Sequence, residues 1–183
     1  MKILPCSLEG VFLLEPRLFE DARGYFFESF NQRAFQAATG IDCSFVQDNH
    51  SLSRRGVLRG LHFQVRQAQG KLVRVSRGEI FDVAVDLRRS SPRFGQWTGA
   101  LLSADNRRQM WVPPGFAHGF LTLSDEAEVL YKTTDYYAPE HERSLRWNDP
   151  QLAIDWPLAA GTAPLLSDKD SQAPLLDACE TFA

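Results

Sequence analysis

Apolar residues in this chain come in short, closely spaced bursts rather than long amphipathic stretches. Runs rich in β-branched and aromatic residues occupy Val11–Leu14, Tyr25–Phe30, Ser44–Gln47, Val57–Val65 and Leu72–Ser76. They continue at Ile80–Leu87, Gln96–Leu102, Gln109–Val112, Gly119–Leu123 and Glu128–Thr134. Turn signals such as Arg55-Gly56, Arg77-Gly78, Ser91-Pro92 and Pro113-Pro114-Gly115 separate them. Many short strands at this spacing predict an all-β protein, an antiparallel sandwich or barrel. The alternation is clearest in IFDVAVDL. Phe81, Val83, Val85 and Leu87 form an apolar face, and Ile80, Asp82, Ala84 and Asp86 form one too polar for a sealed core.

One segment reads as helix. Asn31 suits an N-cap, Phe35 and Ala38 share a face, and Gly40 ends it. From Asp149 onward Pro150, Pro157, Pro164 and Pro174 exclude regular strands. That tail keeps Trp156, Leu165, Leu166, Leu175 and Leu176, so it is expected to pack on the body. It also holds the charged run SDKD, Ser167–Asp170, beside an apolar pair.

The length of 183 residues suits a single domain, 1–183, with a real core. The core barrel is expected over about 44–135, after an N-terminal segment 1–43 and before a C-terminal cap 149–183. A net charge of −3 gives no pull toward nucleic acid or an anionic membrane. Sixteen of the basic residues are Arg, whose planar fork suits phosphate or carboxylate. Three scattered cysteines form no disulfide framework and no C-x-x-C pair, which suits a reducing compartment. The start, MKILPCSLEGVFLL, is broken by Pro5 and Glu9 and lacks a signal-peptide core. The expectation is a soluble cytoplasmic protein.

Two histidines stand in structured contexts, His62 in VLRGLHFQ and His118 in VPPGFAHGF. The spacing Pro113, Gly115, His118 resembles the second motif of cupin jelly rolls. At the place of the cupin H-x-H the chain reads His62, Phe63, Gln64, so the second histidine is missing. Too few ligands remain for a metal, and no metal or cofactor is expected. Chemistry then falls to side chains on predicted strands: Arg59, His62, Lys71 and Tyr131. A histidine base, a tyrosine acid and a cationic clamp make a set for moving a proton beside a carbonyl. Strict alternation places His62 with Leu58 and Gly60, opposite Arg59, Leu61 and Phe63. For Arg59 and His62 to reach one ligand the strand must break register, and Gly60 is where a bulge disturbs least.

Collinear motifs run over nearly the whole chain: FxDxRGYFFESFN (Phe19 to Asn31), FVQDNHSLS (Phe45 to Ser53), VLRGLHFQ (Val57 to Gln64), QGKLVRVxxGEIFDVAVDLRxxSPxFGQW (Gln69 to Trp97) and VPPGFAHGF (Val112 to Phe120). YKTTDYYAPEHE (Tyr131 to Glu142), WNDP (Trp147 to Pro150) and LSDKD (Leu166 to Asp170) continue the series. Together they resemble the dTDP-4-dehydrorhamnose 3,5-epimerase family. The resemblance implies a cupin-like jelly-roll sandwich without metal, acting as a homodimer on dTDP-4-dehydro-6-deoxy-D-glucose and inverting carbons 3 and 5. It implies His62 as base, Asp170 as its partner, Tyr131 as acid and Lys71 at the carbon-4 oxygen. The family's K-D pair is matched by Lys169-Asp170, which favours Asp170 over Asp168. Arg23, Glu28, Gln47, Asp48, Asn49, Arg59, His118, Glu142 and Lys169 match substrate-binding positions, and Tyr137 the aromatic that stacks on thymine. The early strand with Arg23 and Glu28 would be swapped into the partner's site. The competing readings are an epimerase acting at carbon 3 only, a metal cupin, and a sugar-binding jelly roll without catalysis.

Overall fold

The computed structural model describes residues 1–159 and 161–183. In chain order its strands are β1 (Lys2–Pro5), β2 (Phe12–Glu15), β3 (Phe19–Asp21), β4 (Gly24–Phe26), β5 (Gln47–Arg54), β6 (Leu58–Gln64) and β7 (Lys71–Arg77). There follow β8 (Glu79–Asp86), β9 (Trp97–Ser103), β10 (Gln109–Val112), β11 (Phe116–Thr122), β12 (Glu126–Thr133) and β13 (Glu142–Ser144). The helices are α1 (Gln32–Thr39) and the single turn α2 (Asp168–Ser171). A six-stranded sheet runs β1-β2-β10-β7-β12-β5, and a five-stranded sheet runs β13-β6-β11-β8-β9. All pairings within them are antiparallel, and β3–β4 is a separate hairpin. This is the expected jelly-roll sandwich. Both sheets reach beyond 44–135, taking in β1 and β2 at one end and β13 at the other.

Three apolar clusters make a layered core. Val73, Val75, Ile80, Ala84, Met110, Phe116, Phe120 and Val129 fill the space between the sheets. Outside the five-stranded sheet, Leu58, Leu61, Phe63, Val83 and Val85 pack against Leu152, Trp156 and Leu176 of the tail. The tail therefore covers the second face of that sheet, as its apolar residues predicted. Outside the six-stranded sheet, Phe35 of α1 stacks edge-on against Trp111 at 5.4 Å and Phe45 at 5.5 Å. The Asn31 side chain accepts from Ala34 N at the start of α1, and Gly40 closes it at φ 73°.

Burial on both faces explains one departure from expectation. The face with Ile80 and Ala84 is sealed after all, between the sheets. Its acids are partnered rather than solvated: Asp82 by His118, and Asp86 by Arg88 and Ser91. A second departure is β5. The sequence placed a strand at Ser44–Gln47, but the strand is Gln47–Arg54. Its segment, QDNHSLSR, has no apolar face because Gln47, Asn49 and Ser51 line a cavity rather than a core. Among the described residues no helix is long and apolar enough to cross a membrane.

Candidate active site

A cavity of about 670 Å³ opens between the sheets, walled by β5, β6, β7, β11 and β12 and capped by β13 and α2. The break in β6 decides which side chains enter it. His62 pairs with His118 and Arg59 with Phe120, so Gly60 and Leu61 together oppose Gly119 alone. This bulge turns Leu58, Leu61 and Phe63 to the tail side, and Arg59, His62 and Gln64 to the cavity. The strict alternation that grouped His62 with Leu58 is thereby corrected, at the predicted glycine.

His62 Nε2 lies 2.5 Å from Asp170 Oδ1. Ser167 caps α2 by accepting from Asp170 N at 3.2 Å, which fixes the carboxylate's approach. Burial pushes the Asp170 carboxyl up, but hydrogen bonds from His62, Ser167 and the Gly60 N–H outweigh it and hold it below its ordinary value. Asp168 is exposed and takes no part. A second pair stands across from the first: His118 Nε2 is 2.8 Å from Asp82 Oδ1, with both side chains buried. Asp82 was missed as a site residue, although an acid inside an apolar strand was the signal for it.

Lys71, nearly fully buried, donates from Nζ to His62 O at 3.3 Å. Burial pulls its ammonium down to about 8, against the charges of Glu142 and Asp82, which hold it up. Burial likewise pushes the Tyr131 phenol up, while Arg59 opposes and Glu142 adds to it. At the mouth Glu142 joins two groups, accepting from Lys169 Nζ at 2.9 Å and from Tyr137 OH at 3.0 Å. Gln47 and Asn49 line the same cavity from β5 and are bonded to each other at 2.9 Å.

Three expected residues are not brought there within the chain. Asp48 falls on the opposite face of β5, where it pairs with Lys132 at 2.9 Å, because neighbours in a strand point to opposite sides. Arg23 is exposed on the β3–β4 hairpin and bonded to Asp21 at 2.6 Å. Glu28 accepts from Asn31 Nδ2 at 3.0 Å, outside the cavity lining. Among the described residues no group of three or more His, Cys, Asp or Glu side chains is arranged to hold a metal ion.

A jelly roll with a histidine–carboxylate pair, a buried lysine and a tyrosine around one cavity defines a class equipped for proton transfer next to a carbonyl. Comparison with known proteins narrows the class. The family model described as dTDP-4-dehydrorhamnose 3,5-epimerase matches residues 5–178. The chain is 67% identical over 172 residues to a dTDP-4-dehydrorhamnose 3,5-epimerase of Pseudomonas aeruginosa, covering 94% of each. It is 56% identical to one of Salmonella typhimurium, covering 97% of this chain and 96% of that protein. A crystal structure of dTDP-6-deoxy-D-glucose-3,5-epimerase from Legionella pneumophila, in complex with dTDP-4-keto-L-rhamnose, superposes with a TM-score of 0.93. Its identity is 52%, with 97% of this chain and 93% of that one covered. The chain belongs to the dTDP-4-dehydrorhamnose 3,5-epimerase family and is an epimerase of nucleotide sugars.

Proposed function

We propose that His62, Tyr131 and Lys71 carry the family's double inversion, and that a second subunit completes the site. The substrate is dTDP-4-dehydro-6-deoxy-D-glucose, converted to dTDP-4-dehydro-L-rhamnose at carbons 3 and 5. Both carbons flank the carbon-4 ketone, so each C–H is acidified by the same carbonyl. The free ring nitrogen of His62 takes the proton, and the C–H electron pair moves into an enolate with its charge on the carbon-4 oxygen. Asp170 stabilises the resulting imidazolium through the 2.5 Å contact. The Lys71 ammonium neutralises the enolate oxygen in a site shielded from water.

Tyr131 then gives its O–H proton to the same carbon from the opposite face, inverting it. Burial keeps the phenol protonated until an enolate is present, and Arg59 stabilises the phenolate left behind. Proton return to Tyr131 and loss from His62 reset the pair for the second carbon. The single observation that carries this reading is the His62–Asp170 pair opening on the same cavity as Tyr131 and Lys71.

The second subunit is inferred from the hairpin. Phe19, Tyr25 and Phe26 are 51%, 56% and 69% exposed, an apolar display that needs cover. Covering it with another copy of the chain would carry Arg23 to the other copy's cavity, where its fork suits a diphosphate.

The test is product identity. After turnover of the 4-keto sugar, borohydride reduction and sugar analysis should show 6-deoxy-L-hexoses. Recovery of D-configured 6-deoxyhexoses alone would mean that carbon 5 is never inverted.

A further inference from the structure

The loop over the cavity mouth, Asp135 to Ala138, is held by its backbone from below. Gln69 Nε2 donates to Asp135 O at 2.9 Å. Gln64 Nε2 donates to Tyr136 O at 3.2 Å, and Gln64 Oε1 accepts from Ala138 N at 3.0 Å. Gln47 Oε1 accepts from Tyr137 N at 3.0 Å. Each of these consecutive loop residues thus has a backbone group engaged by a glutamine side chain. The glutamines come from β5, β6 and the turn before β7.

The side chains that this loop displays are open to solvent, Tyr136 at 60% and Tyr137 at 54% exposure. Surface loops ordinarily satisfy their backbone through water and remain mobile. Here the grip is on the backbone and leaves both tyrosine rings exposed, with Tyr137 tied through its hydroxyl to Glu142. Gln64 is the centre of it. It is 4% exposed, and its second donor bond goes to Gln67 O at 2.8 Å, so the amide is used on both its nitrogen and its oxygen. It stands two residues beyond His62, at the position where a cupin H-x-H motif would carry its second histidine. An amide there grips the loop without a charge, so the grip itself does not change with protonation.

We propose that Gln47, Gln64 and Gln69 are positioning residues that preorganise the Tyr136–Tyr137 loop as a rigid platform for the nucleotide base. The inference rests on the reading of Tyr137 as the aromatic that stacks on that base. A loop ordered beforehand loses less conformational entropy when the nucleotide arrives. The glutamines therefore act on binding through Tyr137 and leave the proton chemistry at His62 alone.

The experiment is a coupling measurement on the full chain, with dTDP as probe in titration calorimetry. Gln64→Met keeps the size of the side chain and removes its hydrogen bonds. It should weaken dTDP binding about tenfold, as should Tyr137→Ala, while kcat falls much less than KM rises. The double variant should bind within about twofold of Tyr137→Ala alone, because both changes disable one platform. Gln69→Met, at a partly exposed position, should show a smaller loss with the same non-additivity, and it decides the matter if Gln64→Met does not fold. Wild-type affinity in folded Gln64→Met and Gln69→Met, or losses that add fully to that of Tyr137→Ala, would overturn the proposal. Wild-type dTDP affinity in Tyr137→Ala would instead remove the stacking reading, and the platform with it.

Discussion

Gly60 and Gly119 meet across β6 and β11 with no room for a side chain on either. A Cβ on Gly60 would lie 2.6 Å from Gly119 Cα, and one on Gly119 would lie 2.6 Å from Arg59 O. Gly60 also holds φ at 123°, a backbone conformation that side chains disfavour. This contact is what lets two residues of β6 oppose one of β11, and so brings Arg59 and His62 to the same side.

Replacing Gly119 with Ala should therefore damage the site more than the fold. Overpacking here is expected to cost about 1–3 kcal/mol of stability. Displacing His62 by about 1 Å should cost roughly 100-fold in kcat. Thermal melts and initial rates on Gly119→Ala check both figures. Near wild-type activity would mean that the close approach is dispensable.

Lys71, in the role proposed for it, should set the alkaline limb of the rate profile. Its ammonium is pulled down to about 8 in the free protein, and the enolate needs that charge. Since kcat/KM reports the free enzyme, it should fall as pH rises through about 8. The sign follows from loss of the cation on deprotonation. In Lys71→Arg the limb should move up and out of the measured range. An unchanged limb in that variant would assign it to another group.

Tyr131→Phe separates proton loss from inversion. The ring and its packing stay, and the donor is removed. In deuterium oxide the recovered substrate should carry label while little inverted product forms, as His62 returns a deuteron to the face it deprotonated. Inverted product at the wild-type rate would show that the proton comes from elsewhere.

Much of this was legible in the chain because strands and turns are local. The bursts between Gly and Pro signals located most of the sandwich, and Asn31 and Gly40 bounded α1. The break at Gly60 followed from needing Arg59 and His62 together. What escaped was what depends on distant partners. β5 reads as loop because its inward face, Gln47, Asn49 and Ser51, is polar and lines a cavity, and β13 is only three residues long. Asp82 reads as an obstacle to burial until His118, from another strand, is seen to take it. Asp48 shares a motif with its neighbours Gln47 and Asn49, but strand alternation turns it to the other face, toward Lys132.

Subunit mixing tests where Arg23 acts. Arg23→Ala and His62→Ala chains should each be nearly inactive as homodimers. A mixed dimer would hold one site with both an intact His62 and a partner's intact Arg23. An equal mixture that exchanges subunits should therefore recover about a quarter of wild-type activity. If sedimentation shows dimers that exchange and activity stays at the level of the single variants, Arg23 serves its own chain.

The central claim, one base acting at two carbons, is tested most directly by deuterium incorporation during turnover of dTDP-4-dehydro-6-deoxy-D-glucose in deuterium oxide. Magnetic resonance of the wild-type product should show deuterium at both carbon 3 and carbon 5. His62→Ala should slow labelling at the two positions together, by about 100- to 10,000-fold. Label confined to carbon 3, or exchange in His62→Ala at the wild-type rate, would contradict the account.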